Sequence, residues 1–90
     1  MTEETGKIIV YGAAWCPDVL MTRAFLDRHG FAYEYRDIDK DEGAMDALLA
    51  LRGKEWVVPT LVLPDGTILD NPPRRDLRDI LGTRGRPAAP

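Results

Sequence analysis

The chain carries one cysteine and one histidine in 90 residues. A lone cysteine excludes an internal disulfide, so no covalent staple supports the fold. One Cys with one His also argues against a structural zinc site, and no metal is expected. Long apolar runs are missing too: none approaches the roughly 18 residues that a membrane-spanning helix needs. The opening Met1-Thr2-Glu3-Glu4-Thr5 is acidic and lacks the apolar stretch of a signal peptide. The cytoplasm is therefore the expected compartment. Positive charge is not in excess, with 12 Lys and Arg against 15 Asp and Glu and a formal net charge of −3. That balance argues against nonspecific binding to nucleic acid or to an anionic membrane. There are no internal repeats, and the expected form is a monomer.

What is present is the composition of one small domain, 44% hydrophobic and 30% charged. Residues 1–6 are polar and are expected to be flexible; residues 7–82 form the domain; residues 83–90, with Gly85, Pro87 and Pro90, are expected to be a disordered tail. Lys7 to Gly12 reads as a strand apolar on both faces, as in the middle of a covered sheet. A helix is predicted from Pro17 to His29, with Pro17 at its first position and Gly30 just past its end. Val19, Leu20, Ala24 and Phe25, with Met21, are its expected buried stripe. A second strand is predicted over Ala32–Asp37. Asp41 is placed to cap a helix over 42–52, whose apolar positions are Ala44, Met45, Ala47, Leu48 and Leu51. Val57–Leu63 reads as a third strand interrupted by Pro59. Pro64-Asp65-Gly66-Thr67 is a hairpin turn into a fourth strand at Ile68-Leu69. Asn71 is the expected N-cap of a last helix, with Pro72 and Pro73 in its first turn and Leu77, Ile80 and Leu81 buried. Gly82 should end it. The order β-α-β-α-β-β-α gives an α/β fold with a four-stranded mixed sheet and three helices. The first two strands are parallel and the last two antiparallel. That is the layout of the thioredoxin fold in its minimal form.

Cys16 falls where the first strand gives way to the first helix. Unpaired backbone N–H groups and the helix dipole there favour a thiolate over a thiol. This makes Cys16 a candidate nucleophile; the alternative is a cysteine buried as a small apolar residue. Val19 stands where a two-thiol redox motif carries its second cysteine, so the chemistry on offer is single-thiol chemistry. Asp18 stabilises the helix start through the dipole, yet its charge opposes a thiolate two residues away. A moderately activated thiol is the expectation. Asp18 has a second candidate role in orienting substrate. His29 lies a full helix away and is assigned no catalytic role.

Three stretches carry a resemblance to the glutaredoxins, and within them to the mycoredoxins of actinobacteria: Tyr11-Gly12-Ala13-Ala14-Trp15-Cys16-Pro17, Val57-Val58-Pro59-Thr60, and Asp65-Gly66-Thr67-Ile68-Leu69-Asp70-Asn71-Pro72. The similarity spans roughly residues 7 to 82. Against the family pattern, Val19 replaces the second cysteine and Ala13 replaces a lysine that many members carry. Leu69-Asp70-Asn71 replaces paired glycines, and the Cys-Gly-Phe-Ser sequence of cluster-carrying relatives is absent.

The resemblance implies a monothiol oxidoreductase acting on mixed disulfides between protein cysteines and a low-molecular-weight thiol. It implies no bound cofactor; the small thiol is a co-substrate, and S-thiolated proteins are the partners. Mycothiol, bacillithiol and glutathione all stay open. Cys16 would be catalytic, within an active-site motif of Trp15, Pro17, Asp18 and Val19. Val58, Pro59, Thr60, Asp70 and Asn71 would bind the small thiol. Pro59 would follow a cis bond, leaving the Val58 backbone to pair with a peptide-like ligand. Trp15 would shield the nucleophile. Trp56, Arg52 and Lys54 are candidates for the groove rim or for plain surface roles. A binding module without turnover, or a two-subunit iron–sulfur carrier, are the competing readings.

Overall fold

A computed structural model describes residues 7–81. The expectations for residues 1–6, for Gly82 as the last helix stop and for the tail over 83–90 lie outside the described residues. The elements run β1 (Ile8–Gly12), α1 (Pro17–Arg28), β2 (Tyr33–Asp37), α2 (Glu42–Arg52), a short 3₁₀ turn (Gly53–Glu55), β3 (Thr60–Val62), β4 (Ile68–Asp70) and α3 (Arg74–Ile80). The sheet order is β2-β1-β3-β4, with β1 and β2 parallel and the other neighbours antiparallel. This is the four-stranded mixed sheet with three helices that the sequence predicts.

Two apolar layers flank the sheet. On one face Ile8, Val10, Leu61 and Leu63 pack with Leu26 of α1 and Leu77 of α3. On the other, Tyr11 and Ala13 pack with Ile38 and with Ala44 and Leu48 of α2. Alternate side chains of β1 point to opposite faces, so a strand apolar at every position is what a doubly covered centre requires. Arg23 of α1 lays its guanidinium over the Tyr35 ring, 3.8 Å from the centroid. Burial pushes the Tyr35 phenol above its ordinary value, nearby Asp37 adds to the rise, and Arg23 opposes it.

Several sequence expectations need correction, the smallest being that β1 begins at Ile8 rather than Lys7 and that Ile80 is only half-buried. Helix α1 buries Val19, Thr22 and Leu26, while Leu20 and Met21 are exposed, Ala24 is exposed and Phe25 is only half-buried. Val19 is buried as expected, and the buried face continues from it through Thr22 and Leu26, at i+3 and i+7, rather than through its apolar neighbours; Gly12 gives Val19 its place at the end of β1. A Cβ at Gly12 would stand 2.7 Å from Val19 Cγ1. Strand β3 begins at Thr60 rather than Val57, since Pro59 has no N–H to give to a ladder. Strand β2 begins one residue later than expected. The last helix begins two residues later than expected, with Pro73 at its N-cap. Asn71 instead adopts a left-handed conformation (φ 43°), and its backbone N–H donates to the Pro59 carbonyl at 2.8 Å. Asparagine tolerates that region better than most residues.

Candidate active site

The sheet register gathers the candidate residues at one end of the molecule. Tyr11 pairs with Thr60, Thr60 pairs with Asp70, and Gly12 pairs with Asp37. The C-terminal ends of β1, β2 and β4 and the start of β3 therefore share one edge. The loops leaving it carry Trp15-Cys16, Asp39, Val58-Pro59 and Asp70-Asn71.

Cys16 is the N-cap of α1. Its backbone is extended (φ −92°, ψ 117°), its carbonyl accepts from the Val19 and Leu20 N–H groups, and its side chain makes no capping bond. Pro17 follows at the first helical position, where a missing N–H costs nothing. Cys16 as a residue is 8% exposed, and its Sγ lies 3.9 Å from the Val58 carbonyl, to which it donates weakly. The Val58–Pro59 bond is cis. The Val58 N–H has no hydrogen-bond partner among the described residues. Thr60 turns its hydroxyl inward, donating to the Val57 carbonyl at 2.7 Å.

A ring of contacts closes around this corner. Asn71 Nδ2 donates to Asp18 Oδ2 at 3.2 Å, tying the strand exit to the first turn of α1 across 53 residues of sequence. The Asn71 N–H holds Pro59, and Pro59 follows the residue that touches the thiol. Asp70 is ion-paired with Arg52 at the end of α2. Arg52, weighed from sequence as a loose positive rim, is thus committed to a neighbouring carboxylate. Trp15 is 66% exposed, and its indole N–H donates to Asp39 Oδ2 at 2.7 Å. Asp39 was not singled out from sequence: it lies in the acidic turn Asp37-Ile38-Asp39, and nothing local to it signals a partner 24 residues back. Trp56 is half-buried against the α2 layer. Val19 and Ala13, the positions of the replaced cysteine and lysine, are both wholly buried. Neither place would put a polar head in water without moving the packing around it. Among the described residues no three of His, Cys, Asp and Glu come together as a metal-binding group, and no helix is long and apolar enough to cross a membrane.

A lone cysteine at a helix start, facing the residue before a cis proline across the end of a mixed sheet, defines a thioredoxin-fold thiol–disulfide oxidoreductase as the general class. The Glutaredoxin family model matches residues 8–69, and the chain belongs to that family. It is 32% identical over 66 residues to Mycoredoxin 1 of Corynebacterium glutamicum, covering 73% of this chain and 81% of that protein. Among solved structures it is similar to the thioredoxin-like protein BC3987, with a TM-score of 0.73 and 32% identity over 83% of this chain and 100% of the other. The glutaredoxin from Methanosarcina mazei Go1 shares the fold, with a TM-score of 0.72 at 22% identity over 87% of this chain and 80% of that one.

Proposed function

We propose that this protein is a monothiol glutaredoxin of the mycoredoxin type, which uses Cys16 to remove low-molecular-weight thiols from S-thiolated proteins. The observation that carries this reading is the placement of Cys16 Sγ at the start of α1, 3.9 Å from the carbonyl of Val58. A thiolate there meets the positive end of a helix whose first-turn N–H groups lack a side-chain cap. A small thiol joined to Cys16 would lie along residues 57–59, where the unpaired Val58 N–H offers a strand-like hydrogen bond to an extended ligand.

The reaction runs in two exchanges. The Cys16 thiolate attacks the small-thiol sulfur of a protein–S–S–R disulfide. A Cys16–S–S–R bond forms, and the protein sulfur leaves as a thiolate that takes a proton from water. A second R–S⁻ then attacks the R-side sulfur, releasing R–S–S–R and restoring the Cys16 thiolate. The two electrons come from the one incoming R–SH, and the other half of R–S–S–R is the R group already carried by the substrate disulfide, so one cysteine suffices. Apolar, buried Val19 offers no resolving thiol and hence no competing internal disulfide. Asp18 and Asn71, joined to each other, and Asp70, joined to Arg52, line the side where the rest of R would extend. No cofactor beyond the thiol is needed, and the reducing cytoplasm suits such chemistry.

The near-complete burial of Cys16 supports a second reading, a binding module with a slow thiol. One experiment separates the two: intact mass after brief exposure to the disulfides of glutathione, mycothiol and bacillithiol in parallel. The expected result is a fast single adduct on Cys16 with one of the three, removed by the same reduced thiol. No adduct from any of them overturns the oxidoreductase reading and leaves the module.

A further inference from the structure

Helices α1 and α3 bound a cleft of about 490 Å³ that does not include Cys16. Four arginines line it, Arg28 from α1 and Arg74, Arg75 and Arg78 from α3, together with the apolar side chains of Met21 and Phe25. The His29 ring packs on Phe25 with centroids 4.3 Å apart, which stiffens that lining. No carboxylate lines the cleft. The ion pairs among the described residues are Arg36–Glu34 and Arg52–Asp70, so none of the four arginines is paired there.

Two features of this arrangement are locally unfavourable. Arg74 and Arg78 are four residues apart on one helix, a spacing at which like charges repel. Arg74 and Arg75 also stand in the first turn of α3, the end where a cation is disfavoured. Four of the chain's 12 Lys and Arg are thus gathered at one cleft in a molecule of net charge −3, Arg28 and Arg78 in last helical turns that favour a cation and Arg74 and Arg75 in a first turn that does not. An anion in the cleft would relieve both costs. Arginines together with apolar side chains, with Met21 44% exposed, match the centre of a protein interface better than a site for a bare phosphate.

We infer that the α1–α3 cleft docks an acidic segment of a partner protein, one whose carboxylates meet the four arginines and whose apolar side chain rests on Met21 and Phe25. The inference stands apart from the thiol chemistry, because none of the site residues around Cys16 lines the cleft. Charge does not favour the chain's own residues 83–90 as occupant, since they carry Arg84 and Arg86 and no acidic side chain.

The test is a titration of the ¹⁵N-labelled full chain carrying Cys16→Ser, which removes any redox contribution. The probe is the synthetic peptide acetyl-Glu-Glu-Leu-Glu-Glu-Phe-Glu-amide. Amide shifts should concentrate between Met21 and His29 and between Arg74 and Arg78. Binding should weaken by at least about tenfold in Arg28→Gln/Arg78→Gln, and measurably in Arg75→Gln alone. It should weaken several-fold when the peptide's Leu and Phe become Ser, and stay the same in Lys40→Gln. Absent shifts, shifts centred elsewhere, or equal affinity in the arginine variants would overturn the inference. So would tripolyphosphate binding the cleft as tightly as the peptide, which would make it a small-anion site. Movement of the cleft amides by Glu3→Gln/Glu4→Gln without peptide would assign it to the chain's own N-terminus and overturn it equally.

Discussion

Helices α1 and α2 both start from the same end of the sheet, yet their first residues are put to opposite uses. At α2, Asp41 accepts the Gly43 N–H at 3.0 Å, and the helix start is closed by its own side chain. At α1, Cys16 occupies the same position and caps nothing; its sulfur faces the Val58 carbonyl on another loop. Aspartate is among the best N-caps, worth about 1 kcal/mol over alanine. The start of α1 forgoes that stabilisation: no side chain caps it, and its Val19 and Leu20 N–H groups both turn to the Cys16 carbonyl. One helix start is closed by its own side chain, and the other leaves its side chain free to face a second loop.

The most severe way to break this contrast is Cys16→Ser. Thiol exchange should vanish in an assay on an S-thiolated protein, while a serine hydroxyl can cap α1. The melting temperature should therefore hold or rise as activity disappears, and retained exchange would remove the central assignment. Next in size is Gly12→Ala, which drives a methyl into Val19 at the base of α1. Overpacking of this kind costs about 1–3 kcal/mol, read by denaturant unfolding, and should also disturb exchange because Val19 anchors the turn that bears Cys16. Asp41→Ala is the mirror experiment at α2. It should lower stability by about 1 kcal/mol and leave the exchange rate unchanged, and a loss of rate there would blur the distinction drawn above.

The smallest effect expected concerns Tyr35, beneath Arg23 on the α1 face. Its phenol titrates higher in the folded protein than in the unfolded chain, so the folded state holds its proton more tightly. That contribution is fully present below the ordinary phenol value of about 10 and is lost as pH rises above it. Tyr35→Phe should flatten the decline in unfolding free energy over that range relative to the native chain. An unchanged slope would mean that the phenol titrates alike in both states.

Much of the scaffold was legible because its signals are local. Pro17 and Gly30 bracket α1, Asp41 caps α2, and Asp65-Gly66 turns the hairpin, each through the conformational preference of one or two residues. The buried stripe of α1 was legible only at Val19. Leu20, Met21, Ala24 and Phe25 spread apolar side chains around the helix, and the face that packs on the sheet runs through a polar residue, Thr22, to Leu26. Asn71 looks like a cap in sequence and becomes a left-handed connector because Pro59 and Asp18 hold it from two sides.

The sequence by itself determined the order of elements, the position of the one thiol at a helix start, and the absence of a second thiol beside it. Those follow from residue types and their spacing along the chain. Only the tertiary structure decided that Asn71 ties to Asp18, that Arg52 is committed to Asp70, that Trp15 is held by Asp39, and that four arginines of α1 and α3 line one cleft. Each of these contacts joins segments brought together by sheet register and helix packing. Partners so far apart along the chain leave no periodic or local trace in the sequence.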